Sequence, residues 1–428
     1  RRPADELAAA RATLGDVPVE WATGGHPLAL LDGVDLVCPS GGVPLDLPLI
    51  VEARRRGIPL SNDSQIFLEE TPCQVIGITG SAGKTTTTTL TGSIAQTACG
   101  MENAPYRRAW VGGNIGNPLL NDVDAMHPGD LAVMELSSFQ LEVMTRSPQV
   151  AVVLNITPNH LDRHGTMEAY TAAKANILRA QRAADLAVLG REDPGAWGLR
   201  SLVRGELLTF GWARPPRRQR GSFLQDGWVA LWDGERAEKV LSREEIHLRG
   251  EHNLLNVLAA CAAAQAVGLP PEAMRAGVAA VRGVPHRLEF VREWGGARWY
   301  NDSIATAPER TMAAIRSFDE PLVLLLGGRD KNLPWEALAR LVTCRVDHLI
   351  LFGEAADRIE RAVRAAGPAE RPFSLDVCPN LRQAVEAAAR RVEPGDVVLL
   401  SPGGTSFDEF RDFAERGERF CQWVQALN

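Results

Sequence analysis

The stretch Cys73-Gln-Val-Ile-Gly-Ile-Thr-Gly-Ser-Ala-Gly-Lys-Thr85, with threonines recurring to Thr91, decides how the rest of the chain is read. Val75, Ile76 and Ile78 read as a short buried strand. Gly77, Gly80 and Gly83 permit a tight backbone path in which main-chain N–H groups wrap an anion. A helix beginning near Lys84 then aims its N-terminus at that anion. This pattern predicts a nucleoside triphosphate site, with Lys84 on the outer phosphates and the Thr85 hydroxyl on Mg²⁺. The spacing is G-x-x-G-x-x-G-K-T rather than G-x-x-x-x-G-K-[ST], because Ile78 stands at the usual first glycine and the nearest glycine is Gly77. It therefore marks a subtype. A glycine-rich turn alone is more often a plain loop, but the strand before it, the helix after it and the closing Lys-Thr favour phosphate.

Composition sets the frame. At 428 residues the chain exceeds one hydrophobic core and predicts two or three domains. Hydrophobic content of 45% and charged content of 23% are ordinary for a globular cytoplasmic protein. A net charge of −7 with only short basic runs, such as Arg54–Arg56, argues against a nucleic-acid surface, so an anionic substrate has to be met by local cations. Seven cysteines without a C-x-x-C pair read as reduced thiols. The apolar segment Leu254–Leu269 carries Asn256 and Gln265 and reads as a core helix, not a membrane span. The sequence starts at Arg1, which predicts missing upstream residues.

In chain order, residues 1–72 read as part of an α/β unit. A helix over Ala4–Leu14, a strand at Asp35–Cys38, a helix at Leu47–Arg56 and a strand at Ile58–Leu60 are expected. The Ser40-Gly-Gly42 loop between them reads first as an ordinary turn and second as a diphosphate-binding one. Residues 73–283 alternate strands and helices as a parallel sheet does. Glu135, at the end of the strand Leu131–Met134, points into the crevice where α/β ligands bind and is a candidate Mg²⁺ ligand. Glu142 fits a surface role better. His160 follows the strand Val150–Ile156 and joins Lys84, Asn114 and Glu135 as a strand-end polar group; His164 and Asp162 stay ambiguous. Lys174 in the helix Met167–Ala180 reads as solvent-exposed. Strands at Leu207–Trp212, Trp228–Trp232 and Lys239–Leu241 predict a small antiparallel subdomain. Asn253 and Asn256, at i, i+3 on one helix face, read as an adenine-recognising pair, with an N-cap as the plainer role for Asn253.

Residues 284–428 open with a hairpin, Leu288–Arg292 with Arg298–Tyr300, and continue with strands at Leu322–Leu326, His348–Phe352 and Val397–Leu400 in a Rossmann-like sheet. Its strand-end loops are Gly327–Asn332, Gly353-Glu354 and Ser401–Asp408, each polar and glycine-rich and hence a ligand edge.

Nine motifs in one order resemble the Mur ligases: T-G-x-x-G-K-T, G-N-I-G, E-L-S-S-F-Q-L-E, N-H-L-D-R-H-G, G-x-H-N-x-x-N, H-R-x-E, N-D-S-x-A-T, G-G-x-D-K and L-S-P-x-x-x-S-F-D-x-F. They run from about residue 35 to the C-terminus. The resemblance implies three α/β domains, over 1–72, 73–283 and 284–428, in a monomeric cytoplasmic enzyme of peptidoglycan precursor synthesis. It implies ATP, two Mg²⁺ ions, and UDP-N-acetylmuramoyl-L-alanine and D-glutamate as substrates, joined through an acyl phosphate. Carried over residue by residue, it puts ATP on Gly80, Ser81, Ala82, Gly83, Lys84, Thr85, Thr86, Asn253, Asn256, Arg287 and Asp302. It gives Thr85 and Glu135 to one metal, and His160 with a carbamylated Lys174 to a second; without the resemblance Lys174 would not be chosen. D-Glutamate falls to Thr306, Lys331, Ser406, Phe407 and Phe413, and the UDP-sugar substrate to Ser40, Gly42 and Asn114.

Three departures stand out. Ile304 occupies the position where the resemblance leads to lysine, with Arg310 or Arg329 as possible replacements. Ser81-Ala82 replaces Thr-Asn. The first strand and glycine turn of the uridine pocket are missing, which implies either a trimmed chain or weaker nucleotide-sugar binding. A sister ligase or a folylpolyglutamate-type ligase shares the central motifs, but the third-region loops argue against both. A P-loop regulator without ligase activity predicts ATP turnover independent of any amino acid.

Overall fold

A computed structural model of the chain describes residues 11–12, 14, 17–23, 25–41, 43–115, 118–331, 333–368 and 372–428, with Asp162 described in its backbone only. The helix expected over Ala4–Leu14 falls mostly outside these residues.

Strand β1, Gln74–Thr79, forms where apolar residues alternate sides. Ile76 and Ile78 enter one core, Val75 the other. Parallel strands follow as β2 Ala109–Gly113, β3 Leu131–Glu135, β4 Val150–Val153, β5 Leu186–Gly190 and β6 Glu206–Gly211. An edge then follows of β7 Gly221–Gln225, β8 Trp228–Trp232 and β9 Ala237–Ser242. They form one sheet in the order β2-β3-β1-β4-β5-β6-β7-β8-β9. The expected antiparallel subdomain is corrected on two points. β6 and β7 pair in parallel, so only β7–β8 and β8–β9 are antiparallel, and the whole meander extends the main sheet. β7 was not anticipated because its five residues follow a Pro/Arg loop and begin at a glycine.

Helices α3 Lys84–Cys99, α5 Glu251–Ala266 and α6 Pro271–Ala280 pack on one face of this sheet; α2 Asp63–Glu70 and α4 Met167–Arg179 pack on the other. α5 is buried through an alanine run, Ala259, Ala260 and Ala262–Ala264, which lets it lie close to the strands. In the first region the expected strands shrink to one parallel bridge, Val37 with Leu60, with α1 Pro48–Arg55 crossing between. One bridge is far short of the three or more strands that make a sheet independently stable, so an N-terminal sheet is absent among the described residues.

The second sheet holds β10 Glu289–Trp294, β11 Ala297–Asn301, β12 Leu322–Gly327, β13 His348–Phe352, β14 Ser374–Cys378 and β15 Val397–Gly403, ordered β10-β11-β15-β12-β13-β14. All pairs are parallel except the β10–β11 hairpin. Helices α7 Pro308–Ile315, α8 Glu336–Arg345 and α9 Ala356–Ala365 cover one face, and α10 Leu381–Arg391 and α11 Phe413–Gln425 the other. Arg249, one residue before the Gly250 cap of α5, ties the two sheets. Its Nη1 donates to both oxygens of Glu320 at 2.8 and 3.1 Å, and its guanidinium lies 5.4 and 5.2 Å from the rings of Tyr300 and Phe318. Arg298 shares Glu320. All seven cysteines are free, and among the described residues no helix is long and apolar enough to cross a membrane.

Candidate active site

The glycine turn closes as the sequence predicts, for reasons that differ between its glycines. Gly83 caps α3 at a φ of 83°, where a Cβ would lie 2.3 Å from Asn256 Oδ1. Gly77 lies inside β1 and is needed for room, since a Cβ would fall 2.6 Å from Pro148 Cγ. That corrects the expectation that it shapes the loop. Asn155 straps the turn: its O accepts from Ser81 N at 2.9 Å, its Oδ1 accepts from Ala82 N at 2.8 Å, and its Nδ2 donates to Ala82 O at 3.1 Å. Ser81 Oγ accepts from Thr157 N at 2.9 Å and lies 2.9 Å from the Tyr170 hydroxyl. Two N–H groups expected on phosphate are thus engaged within the protein. The first-turn N–H groups of α3, which have no intrahelical acceptor, remain for an anion. The Thr86 hydroxyl beside them is buried without a partner.

Two amines converge on the turn. Lys84 Nζ and Lys174 Nζ both donate to Gly80 O at 2.9 Å, and Lys174 also reaches Thr79 Oγ1 at 3.3 Å. Lys174 is only 1% exposed, which overturns the solvent-exposed reading of its helix position. Burial, then the nearby Lys84 charge, push its amine down to about 6, with Glu135 opposing. Burial also lowers Lys84, against the pull of Glu135.

Glu135 is buried at the end of β3. Its Oε2 accepts from Thr85 Oγ1 at 2.8 Å and its Oε1 from Asn114 Nδ2 at 2.9 Å. Lys84, Thr85, Glu135 and Lys174, from three elements, therefore gather around one turn. His160 lies on the adjoining loop at a φ of 53°, its ring 5.0 Å from Phe139. His164 stacks on the same Phe139 and sits 3.0 Å from Ser138 Oγ. Among the described residues no three His, Cys, Asp or Glu side chains form a cluster able to hold a metal. A cation on Thr85 and Glu135 would need further oxygens, as Mg²⁺ bound with substrate phosphates does.

Beside the turn lies a slot of about 520 Å³ lined by Asn253, Asn256, Leu154, Phe210, Leu255 and Arg287. Asn256 Nδ2 donates to Asn253 Oδ1 at 3.1 Å, and Asn253 Nδ2 to Arg249 O at 2.7 Å. Asn253 is the third residue of α5, which removes the N-cap reading. Asp193 also lines the slot and was missed. Its Oδ1 accepts from Ile156 N at 2.9 Å and Ala196 N at 2.7 Å, fixing the β4 end to the helix that follows β5.

A second cavity, about 850 Å³, opens between the glycine turn and the second sheet, where Ser81 and Thr157 face Arg287, Asp302, Thr306 and Lys331. Asp302 accepts from Leu288 N at 3.2 Å and Ser401 Oγ at 2.8 Å; burial pushes it up to about 7 against those bonds. Burial lowers Arg287 and Lys331. Ser406 is buried, Phe407 is 59% exposed and Phe413 lies at the surface; none of the three lines this cavity. Arg329 is chelated by Glu354 at 2.8 and 2.9 Å, whereas Arg310 lines the cavity beside Ile304.

Arg416, also missed, is fully buried in α11. It donates to Ser303 Oγ and O at 2.9 Å, Thr405 O at 3.0 Å and Gly404 O at 3.1 Å, and burial lowers it to about 10. It binds the loop after β11 to the loop after β15. Its place between Phe413 and Phe420 on a helical face was the available signal.

Ser40 lines a separate cavity of about 410 Å³ with Phe139, Gln140 and Arg163. Asn114, expected with it, is bonded to Glu135 instead, and Gly42 lies outside the described residues.

Residues 78–264 match the Mur ligase middle domain and residues 286–404 the Mur ligase, glutamate ligase domain. A UDP-N-acetylmuramoylalanine–D-glutamate ligase of Symbiobacterium thermophilum is 43% identical, covering all of this chain and 92% of its own. One from Anaeromyxobacter dehalogenans is 42% identical over 93% of this chain and 85% of its own. Among solved structures, UDP-N-acetylmuramate-alanine ligase of Thermotoga maritima superposes with a TM-score of 0.60 at 19% identity, covering 98% of this chain and 91% of its own. E. coli FolC, in complex with DHPP and ADP, gives 0.60 at 17%, covering 91% and 99%. At those identities the two structures speak for the fold.

Proposed function

The chain belongs to the Mur ligase family, and from that footing we propose that it joins D-glutamate to UDP-N-acetylmuramoyl-L-alanine at the expense of ATP. The observation that carries this is the cleft in which Ser81 of the glycine turn faces Arg287, Asp302, Thr306 and Lys331 of the C-terminal region, with Lys84, Glu135 and Lys174 bonded around the turn. The γ-phosphoryl passes from ATP to the alanine carboxylate, giving ADP and an acyl phosphate. The D-glutamate amine attacks the carbonyl; the C–N bond forms, the C–O bond to phosphate breaks, and the amine loses a proton.

Positioning and charge neutralisation dominate such transfers. Lys84 and the first-turn N–H groups of α3 hold the phosphates, and the Asn253–Asn256 pair with the apolar slot takes adenine. Thr85 and Glu135 are hard oxygen donors suited to one Mg²⁺, which when bound neutralises phosphate charge. For the second site we assign His160 and a carbamate on Lys174. Only a neutral amine reacts with CO₂, releasing a proton as it becomes a carbamate, and burial keeps this one neutral at pH 7. Lys331 and Thr306 take the amino acid, with Ser406, Phe407 and Phe413, which do not line the cavity, assigned alongside. Ser40 and the 410 Å³ cavity take the nucleotide-sugar end, with Gly42 and Asn114 assigned alongside. We assign three domains, over 1–72, 73–283 and 284–428, and a monomer that works in the cytoplasm.

The test is phosphate release with ATP, Mg²⁺ and UDP-N-acetylmuramoyl-L-alanine across a panel of D- and L-amino acids. Release only with D-glutamate is expected. Turnover indifferent to the amino acid, or preferring an L-amino acid, sinks the proposal.

A further inference from the structure

Arg310 is the third residue of α7, inside the first turn of that helix, and lines the 850 Å³ cleft with Arg287, Thr306 and Lys331. A cation there is at the wrong end of the helix dipole, which favours anions at an N-terminus. The fold offsets this only in part, through the charge of Asp302 across the same cleft. The Arg310 Nη1 donates to Ile304 O at 3.2 Å, and no carboxylate among the described residues forms an ion pair with it, although the adjacent Glu309 lines the same cleft. Arg329, by contrast, is held in both arms of Glu354. The charge of Arg310 also reaches both walls of the cleft: it helps lower Lys84 on the glycine turn and Arg287 and Lys331 on the second sheet. Glu135 and Asp302 answer Lys84 and Arg287, which leaves Arg310 as a cation that lines the cleft with no ion pair of its own among the described residues, poised for an anion. The guanidinium, docked through one nitrogen on Ile304 O, keeps further N–H groups for two oxygens of a phosphoryl group.

We propose that Arg310 grips the phosphoryl group of the acyl phosphate, between Lys84 and Lys331, and supplies the cation that the Asn301–Thr306 loop lacks at Ile304. As the amine attacks, the C–O bond breaks and phosphate leaves with the electron pair. Arg310 offsets the charge that grows on it. This assignment rests on the ligase reading above.

Steady-state kinetics of R310A, R310K and the double variant R310A/I304K test it, with ATP and D-glutamate varied separately. R310A should lose about 100-fold in kcat, the scale of one removed oxyanion donor, while both KM values stay within about threefold of wild type, since a contact made in the transition state leaves ground-state binding alone. R310K should recover about tenfold, because lysine keeps the charge but loses the fork. I304K in the R310A background should recover a similar factor. A kcat for R310A within about threefold of wild type overturns the assignment, as does a loss confined to the KM of D-glutamate. Failure of I304K to recover any activity overturns the claim that the two positions exchange the cation. Arg310 is exposed, so R310A should melt with wild type; if it does not, R310Q takes its place in the same comparison. A wild-type protein without D-glutamate-dependent phosphate release points instead to failure of the ligase reading.

Discussion

Replacing Lys174 by methionine should make the protein more stable and nearly inactive, in a way that pH reports. The amine is 1% exposed and driven to about 6, against an ordinary value of 10.5. At pH 7 the unfolded chain binds a proton that the folded chain has released, and at ~1.4 kcal/mol per tenfold this costs on the order of 5 kcal/mol. The neutral amine recovers about 1–3 kcal/mol through its bonds to Gly80 O and Thr79 Oγ1. Methionine orphans neither group, since Gly80 O still accepts from Lys84 and the Thr79 hydroxyl still donates to Leu136 O. A net gain of about 2–4 kcal/mol is expected at pH 7.

The sign follows from the depressed value. Between about 6 and 10.5 the unfolded state carries the extra proton, so wild type gains stability as pH rises and K174M does not. The advantage of the variant should be largest below pH 6, should shrink by about 4 kcal/mol between pH 6.5 and 9.5, and should vanish between about pH 8 and 10, where the falling proton penalty equals the wild-type hydrogen bonds. The assay is a urea midpoint for both proteins in CO₂-free buffer at those two pH values. Parallel midpoints would refute a buried neutral amine. Bicarbonate should then stabilise wild type alone, because a carbamate forms on the folded state only.

Lys174→Ala should lose nearly all ligation and regain part of it with formate or acetate, read by phosphate release; undiminished activity removes the carbamate. Lys331→Ala should raise the KM for D-glutamate far more than that for ATP, and an equal rise in both counts against a carboxylate contact. Glu135→Gln should lower kcat by about 10²–10³-fold, with a raised Mg²⁺ requirement in a metal titration, because a charged ligand becomes a neutral one. Arg416→Met should cost about 3 kcal/mol in denaturation, since it strands carbonyls of the 303 and 404–405 loops that the guanidinium now satisfies.

The glycine turn, Glu135 and the second sheet were legible because short apolar runs, glycines and strand-end polar residues carry their own periodicity and turn chemistry. Lys174 was reached only through resemblance, yet it lies among Tyr170, Ile177 and Leu178 on the buried face of α4, so a helical-face reading would have found a lysine in an apolar stripe. Arg416 escaped for the same reason. β14 and β7 were missed because Ser374–Cys378 is mostly half-buried and Gly221–Gln225 is short, so neither has a strong pattern. The first-region strands were overcalled: Val37 and Leu60 do pair in parallel, but local propensity does not reveal that no further strand joins them.

The tie between the sheets has a mechanical corollary. From Gly83, contacts pass to Asn256, then to Asn253, then to the carbonyl of Arg249, whose guanidinium clasps Glu320. Any swing of the C-terminal half away from the glycine turn must either snap that clasp or drag the start of α5 with it. The Asn253–Asn256 pair and the angle between the two sheets are geared together through four side chains.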